Sequence, residues 1–190
     1  MSFYNTNAQD FFAGTVDVDM SSLYEKFVPL LPSHASVLDA GCGSGRDSRY
    51  FSQCGFKVDA FDASEELVSL AKLHSAIDVQ LCTFIDYQST HLYDGIWACA
   101  SLLHVPKSEL PRTFKHLASL LKSGGFFYCS FKYGDDEVER DGRRFSNLNE
   151  DALSTLLLCS KLTAKELWLT SDLRPGRENE KWLNAILIKA

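Results

Sequence analysis

Val37-Leu-Asp-Ala-Gly-Cys-Gly-Ser-Gly-Arg-Asp-Ser-Arg-Tyr-Phe51 is the stretch that decides the fold. A short apolar run ends in a carboxylate, Asp39, passes through glycines at 41, 43 and 45, and enters a helical pattern at Arg46. Glycine permits positive φ and puts no side chain in a ligand's way. In open α/β sheets ligands bind at the carboxyl ends of the strands, beside the point where strand order reverses, and the first strand-to-helix turn belongs there.

Three readings of this turn compete. A dinucleotide fingerprint, G-x-G-x-x-G, would place its third glycine where this chain has Arg46, and it does not need an acid closing the first strand. A tight turn without a ligand explains one or two glycines, but not three after a strand-end acid. A free carboxylate at Asp39 would repel pyrophosphate, yet it suits an ammonium or sulfonium cation, and S-adenosylmethionine (SAM) carries both. SAM is the preferred cofactor, with a nicotinamide dinucleotide as the alternative.

Outward from the turn, short apolar runs alternate with helical patterns. The runs are 36–40, 57–61, 78–82, 93–99 and 126–132; the helical patterns are 46–54, 64–74 and roughly 108–122, the last ended by Gly124-Gly125. Strands alternating with helices predict a parallel sheet with right-handed crossovers. The rhythm then changes: a polar segment 133–147 reads as a long loop, 149–160 as a helix, and 164–170 and 182–189 as two strands of a terminal hairpin. The predicted fold is a three-layer, Rossmann-like α/β sandwich with a mostly parallel seven-stranded sheet and one antiparallel strand. Residues 1–35 form a helical lid region with an amphipathic helix at 21–31, and residues 36–190 form the α/β core of a single domain.

With the motifs in view, Val37–Gly45 resembles motif I of class I SAM-dependent methyltransferases. The continuation Gly45-Arg-Asp-Ser-Arg-Tyr-Phe51 resembles a small bacterial subgroup, the tellurite-resistance-type methyltransferases. The similarity runs from about residue 36 to 132. Asp62, closing the second strand, can accept both ribose hydroxyls, whereas Asp59 has the opposite side-chain phase; capping of the following helix is the plainer role for Asp62. An acid here fits any adenosine ribose, so it confirms the sugar more than the cofactor. The resemblance assigns Gly41, Cys42, Gly43, Gly45, Arg46 and Ala63 to the cofactor's neighbourhood. It gives the adenine contacts to Thr83 and Phe84, although Phe84 also reads as core, and it puts the small residues Ala98 and Cys99 against the methionine part. His104 follows at the mouth of the site, where a packed structural role competes with contact to cofactor or acceptor. Tyr4 is placed in the lid.

Methyl transfer is an in-line displacement at an already activated carbon, so proximity and orientation supply most of the catalysis. A general base is needed only for an acceptor that enters protonated at an unsuitable pKa. Acceptor contacts are expected from the loops 133–145 and 170–182, with Arg144, Arg174 and Arg177 converging on a small, anionic acceptor such as an oxyanion, and with Pro175-Gly176 forming a turn between the last two arginines. Solvated loops with surface ion pairs are the plainer alternative. A non-catalytic, SAM-binding regulatory protein also fits these motifs.

Composition agrees with an ordinary folded domain: 190 residues, 45% hydrophobic and 23% charged, are enough for a core and rule out disorder and collagen. A net charge of −6, from 25 acidic and 19 basic residues, argues against general nucleic-acid affinity. The longest uncharged apolar stretch, 96–105, is about half of what a membrane-spanning helix needs. With no basic residue before the first acid, a signal peptide is not expected, and a cytoplasmic location follows. The six cysteines include no C-x-x-C pair and read as core thiols, with no disulfide or metal centre expected.

Overall fold

The computed structural model describes residues 2–174 and 176–190. Two short helices, α1 (Ser2–Thr6) and α2 (Ala8–Ala13), precede α3 (Ser21–Phe27). The core then runs β1 (Ser36–Ala40), α4 (Arg46–Gln53), β2 (Lys57–Asp62), α5 (Glu65–Ser75), β3 (Val79–Leu81), β4 (Tyr93–Ala98), α6 (Leu110–Ser119) and β5 (Leu121–Lys132). It ends with β6 (Glu137–Arg140), β7 (Arg143–Ser146), α7 (Glu150–Leu157), β8 (Leu162–Ser171) and β9 (Lys181–Lys189). Seven strands form one sheet in the order β3-β2-β1-β4-β5-β9-β8, with β9 antiparallel to both neighbours and the other pairings parallel. Strand order reverses between β1 and β4, as the predicted architecture requires.

The period of two along each strand sorts side chains to two apolar layers. Ile96 and Ala98 join Phe127 and Cys129 under α6 and α7, while Trp97 and Tyr128 face α3 and α4 with Phe27 and Phe51. Trp97 and Tyr128 are stacked at 3.9 Å between ring centroids. Ser64 caps α5 by accepting the Leu67 N–H at 3.3 Å, with Glu65 and Glu66 in the first turn facing the positive end of the helix. No described helix is long and apolar enough to cross a membrane.

Several expectations change. α6 stops at Ser119, and Leu121, inside the helical pattern expected over 108–122, begins β5 instead. Gly124-Gly125 therefore does not end the helix; it lies in β5, where the register with β4 shifts between Tyr93↔Leu121 and Gly95↔Phe126. The segment 133–147 is largely a two-stranded antiparallel hairpin, β6–β7, turning at Asp141 (φ 54°) and Gly142 (φ 71°). The helix expected over 21–31 ends as an α-helix at Phe27 and finishes in a 3-10 turn, Val28–Leu30, before Pro32. Among the cysteines, Cys54 and Cys159 are exposed rather than in the core.

Candidate active site

At the carboxyl ends of β1, β2 and β4 lies a cavity of about 830 Å³, roofed by α1, α2 and the β6–β7 hairpin. The size suits a small-molecule site, for which about 300–1,000 Å³ is usual. Its floor is the glycine turn. Gly41, Gly43 and Gly45 all have positive φ, at 75°, 55° and 76°. Their roles differ. Gly43 lines the cavity, and its N–H donates to Asp62 at 2.9 Å. Gly45 does not line it: a Cβ there would meet Ala71 at 3.0 Å, so this glycine lets α4 approach α5.

Asp62 is held at the cavity wall by the N–H groups of Gly43 and Ser64, each at 2.9 Å and each on a different oxygen. Burial pushes its carboxyl up, and these backbone N–H groups work against that. One accepted bond per oxygen leaves acceptor capacity on both. The Ser64 contact also fixes the start of α5, the plainer role expected of this acid. Asp59 faces elsewhere and accepts the Tyr93 hydroxyl at 2.6 Å.

Asp39 corrects the simplest expectation. It is buried, is absent from the cavity wall, and accepts the Ser48 hydroxyl at 2.5 Å, so it is not a free carboxylate awaiting a cation. Burial, and after it the charge of Asp47, pushes the Asp39 carboxyl up. The charged acid beneath the turn is Asp47, which sequence reasoning missed. It accepts the Tyr24 hydroxyl at 2.5 Å, the Trp97 indole N–H at 2.8 Å, and Arg46 through Nε at 2.6 Å and Nη2 at 2.9 Å. Burial raises Asp47, but Arg46 and these donors outweigh it and hold the carboxyl below the usual range. Arg46 also donates to the Thr15 carbonyl at 3.2 Å, so its guanidinium lines the cavity as a braced group. The available signal was an Arg-Asp pair opening a helix beneath a glycine turn.

The remaining residues divide. Cys42, Ala63, Thr83, Phe84 and Cys99 line the cavity, whereas Ala98 is wholly buried in the layer under α6 and does not. Thr83 donates to Asp86 at 2.6 Å, and Phe84 packs edge-on against Phe61 with 5.5 Å between centroids. Burial, with the charge of Asp47 next, pushes the Cys99 thiol up to about 12, so it is no nucleophile at neutral pH.

Tyr4 and His104 meet across the roof: the Tyr4 hydroxyl is 2.7 Å from Nε2, while Nδ1 is 2.7 Å from the Arg144 carbonyl. A carbonyl only accepts, so Nδ1 carries the proton and Nε2 accepts from Tyr4. Burial, followed by the nearby positive charges of Arg143 and Lys132, lowers His104 to about 4, and the Arg144 contact opposes this. The ring is neutral near pH 7.

Arg144, Arg174 and Arg177 all line the cavity, but none offers a free guanidinium. Arg144 reaches Glu139 at 3.0 Å, Arg174 reaches the buried Asp172 at 2.6 Å, and Arg177 reaches Glu180 at 2.7 Å. The expected convergence on an anion is replaced by pairing within the loops. The Pro175-Gly176 turn involves Pro175, which lies outside the described residues. Phe3, Phe11 and Arg143 also line the cavity and were not singled out from the sequence.

Comparison with known proteins fits this geometry. The family described as "Methyltransferase domain" matches residues 12–167. The malonyl-[acyl-carrier protein] O-methyltransferase of Pectobacterium atrosepticum is 37% identical over 105 residues, covering 53% of this chain and 41% of that protein. The ubiquinone biosynthesis O-methyltransferase of Xanthomonas axonopodis pv. citri is 34% identical over 108 residues, covering 53% and 44%. The match thus spans about two-fifths of the length of these curated relatives. The Burkholderia thailandensis 1,6-didemethyltoxoflavin-N1-methyltransferase, solved with bound 1,6-didemethyltoxoflavin and S-adenosylhomocysteine (SAH), superposes with a TM-score of 0.81 at 21% identity, over 100% of this chain and 85% of that one. The [4+2]-cyclase SpnF shares the fold at a TM-score of 0.75 and 16% identity, over 99% and 94%. With the family match covering most of its length, this chain belongs to the methyltransferase-domain family.

Proposed function

We propose that this chain binds SAM across the carboxyl ends of β1, β2 and β4 and transfers its methyl group to a small molecule held under the roof of α1, α2 and the β6–β7 hairpin. The observation that carries this is Asp62: a carboxyl fixed by two backbone N–H groups beside an open glycine turn, with one acceptor position left on each oxygen. That arrangement suits two adjacent hydroxyls of a ribose. When bound, SAM supplies a methyl carbon activated by positively charged sulfur.

The protein's part is to hold and exclude. The turn at Gly41–Gly43 gives close backbone approach, Thr83 and Phe84 offer an edge and a face for adenine, and Cys99 presents a neutral thiol to the methionine part. Tyr4, tied to His104, closes the N-terminal helices over the site as a lid and keeps water out. A histidine titrating near 4 is too weak a base for a phenol or amine, so His104 serves as a positioning residue for Tyr4.

The tellurite-resistance-type resemblance rests on Gly45–Phe51. There Arg46 and Ser48 are tied to Asp47 and Asp39, which favours a structural role for those residues over an oxyanion-selecting one. The walls, with Phe3, Phe11, Phe145 and Trp182, favour an organic acceptor. Incubating the protein with SAM and fractionated metabolite extract, with chromatographic detection of SAH, tests the activity. SAH formed with one fraction supports transfer; tight SAM binding with no SAH from any fraction supports the regulatory reading instead.

A further inference from the structure

The β6–β7 hairpin carries a guanidinium, that of Arg143, packed beside two aromatic rings and with one buried nitrogen that has no partner. The guanidinium carbon of Arg143 lies 4.4 Å from the centroid of the Phe3 ring and 5.3 Å from that of Phe145, and all three side chains line the cavity. Its Nε is buried without a hydrogen-bond partner. The carboxylate of Asp141 comes no nearer than 3.8 Å, from a side chain that is 68% exposed. Every other half-buried Lys or Arg described on this wall is engaged: Arg46 by Asp47, Arg144 by Glu139, Arg174 by Asp172, and Lys132 and Arg177 by Glu180. Arg112 also reaches the rim, but it is exposed.

A buried donor without a partner is costly, more so when charged. Packing beside two rings, with its charge also felt by the Tyr4 hydroxyl, holds the guanidinium at the cavity wall. We propose that Arg143 is the acceptor's anchor and receives a carboxylate borne by an organic acceptor; this rests on the methyltransferase reading above. One guanidinium with no carboxylate nearer than 3.8 Å matches the single charge and two oxygens of a carboxylate. A phosphate dianion would need a second free cation, and the neighbouring ones are already paired. An inorganic oxyanion would leave the aromatic walls uncovered.

The test uses benzoate and benzamide, probes of one shape that differ in charge, titrated by ligand-observed NMR into the full chain loaded with SAH. The expected result is benzoate binding at least tenfold tighter than benzamide. That preference is lost in Arg143→Met, is partly kept in Arg143→Lys, and leaves SAH affinity within twofold in both variants. Equal affinity for the two probes, or a preference that survives Arg143→Met, overturns the proposal. Selenite binding as tightly as benzoate and displacing it overturns the organic-acceptor part. Failure of the wild-type chain to bind SAH instead removes the methyltransferase reading itself, so the two failures are distinguishable.

Discussion

Asp62 accepts N–H groups from Gly43 and Ser64 and so couples the glycine turn to the start of α5, while retaining acceptor capacity at the cavity wall. Asp62→Ala removes the proposed ribose contact and leaves two backbone donors unpaired. Cofactor affinity is expected to fall ten- to a hundredfold, about 1.4–2.8 kcal/mol, with a stability loss of about 1–3 kcal/mol in urea unfolding. Unchanged affinity in calorimetry would sink the ribose assignment. Gly43 gives a sharper test. Its φ of 55° resists a β-branched residue, and a Cβ there would already meet Phe11 at 3.1 Å. Gly43→Val is expected to abolish cofactor binding in a protein whose circular dichroism is unchanged. That both residues line the cavity was legible, because their placement is set by position in a strand-turn-helix. Asp39 was legible as a strand-end acid but not as a buried one, because whether it meets solvent or Ser48 depends on how α4 packs, nine residues on.

Element boundaries were legible wherever periodicity was strong: β1 falls on its expected residues, Ser36–Ala40, and α5 follows its Ser64 cap. The hairpin β6–β7 was missed although Asp141-Gly142 is a strong signal for a two-residue hairpin turn; the flanking strands are short, and the β6 side chains are exposed, so no apolar alternation announced them. Gly124-Gly125 misled because a glycine pair after a helix also fits an irregular strand. α4 and α5 are in tight contact at Gly45 and Ala71. Gly45→Ala combines a left-handed backbone with a Cβ 3.0 Å from Ala71, and it is expected to cost about 2–4 kcal/mol in urea unfolding. A loss under about 0.5 kcal/mol would show that the helices have room to separate.

The N-terminal helices, the hairpin and the sheet edge come together through contacts between residues far apart in the chain, such as Tyr4 with His104 and His104 with Arg144, and sequence alone could not reveal them. This junction makes a pH prediction. His104 takes up a proton near 6.5 when unfolded but only near 4 in the fold. Its stabilising contribution is therefore complete above about pH 6.5, declines as pH falls, and is exhausted below about 4. Comparison with His104→Gln isolates it from the buried carboxyls. Wild type is expected to lose stability relative to the variant between pH 7 and 4, by at most about 1.4 kcal/mol per pH unit, and parallel curves would refute the neutral, buried ring. The proposed function rests on the cofactor. Titration calorimetry of the full chain with SAM, run beside NADH and NADPH, tests this directly. The expected result is one-to-one SAM binding that disappears in Gly43→Val, with no binding of either dinucleotide. A folded protein that takes up no SAM, or that binds a dinucleotide through this turn, would contradict the account.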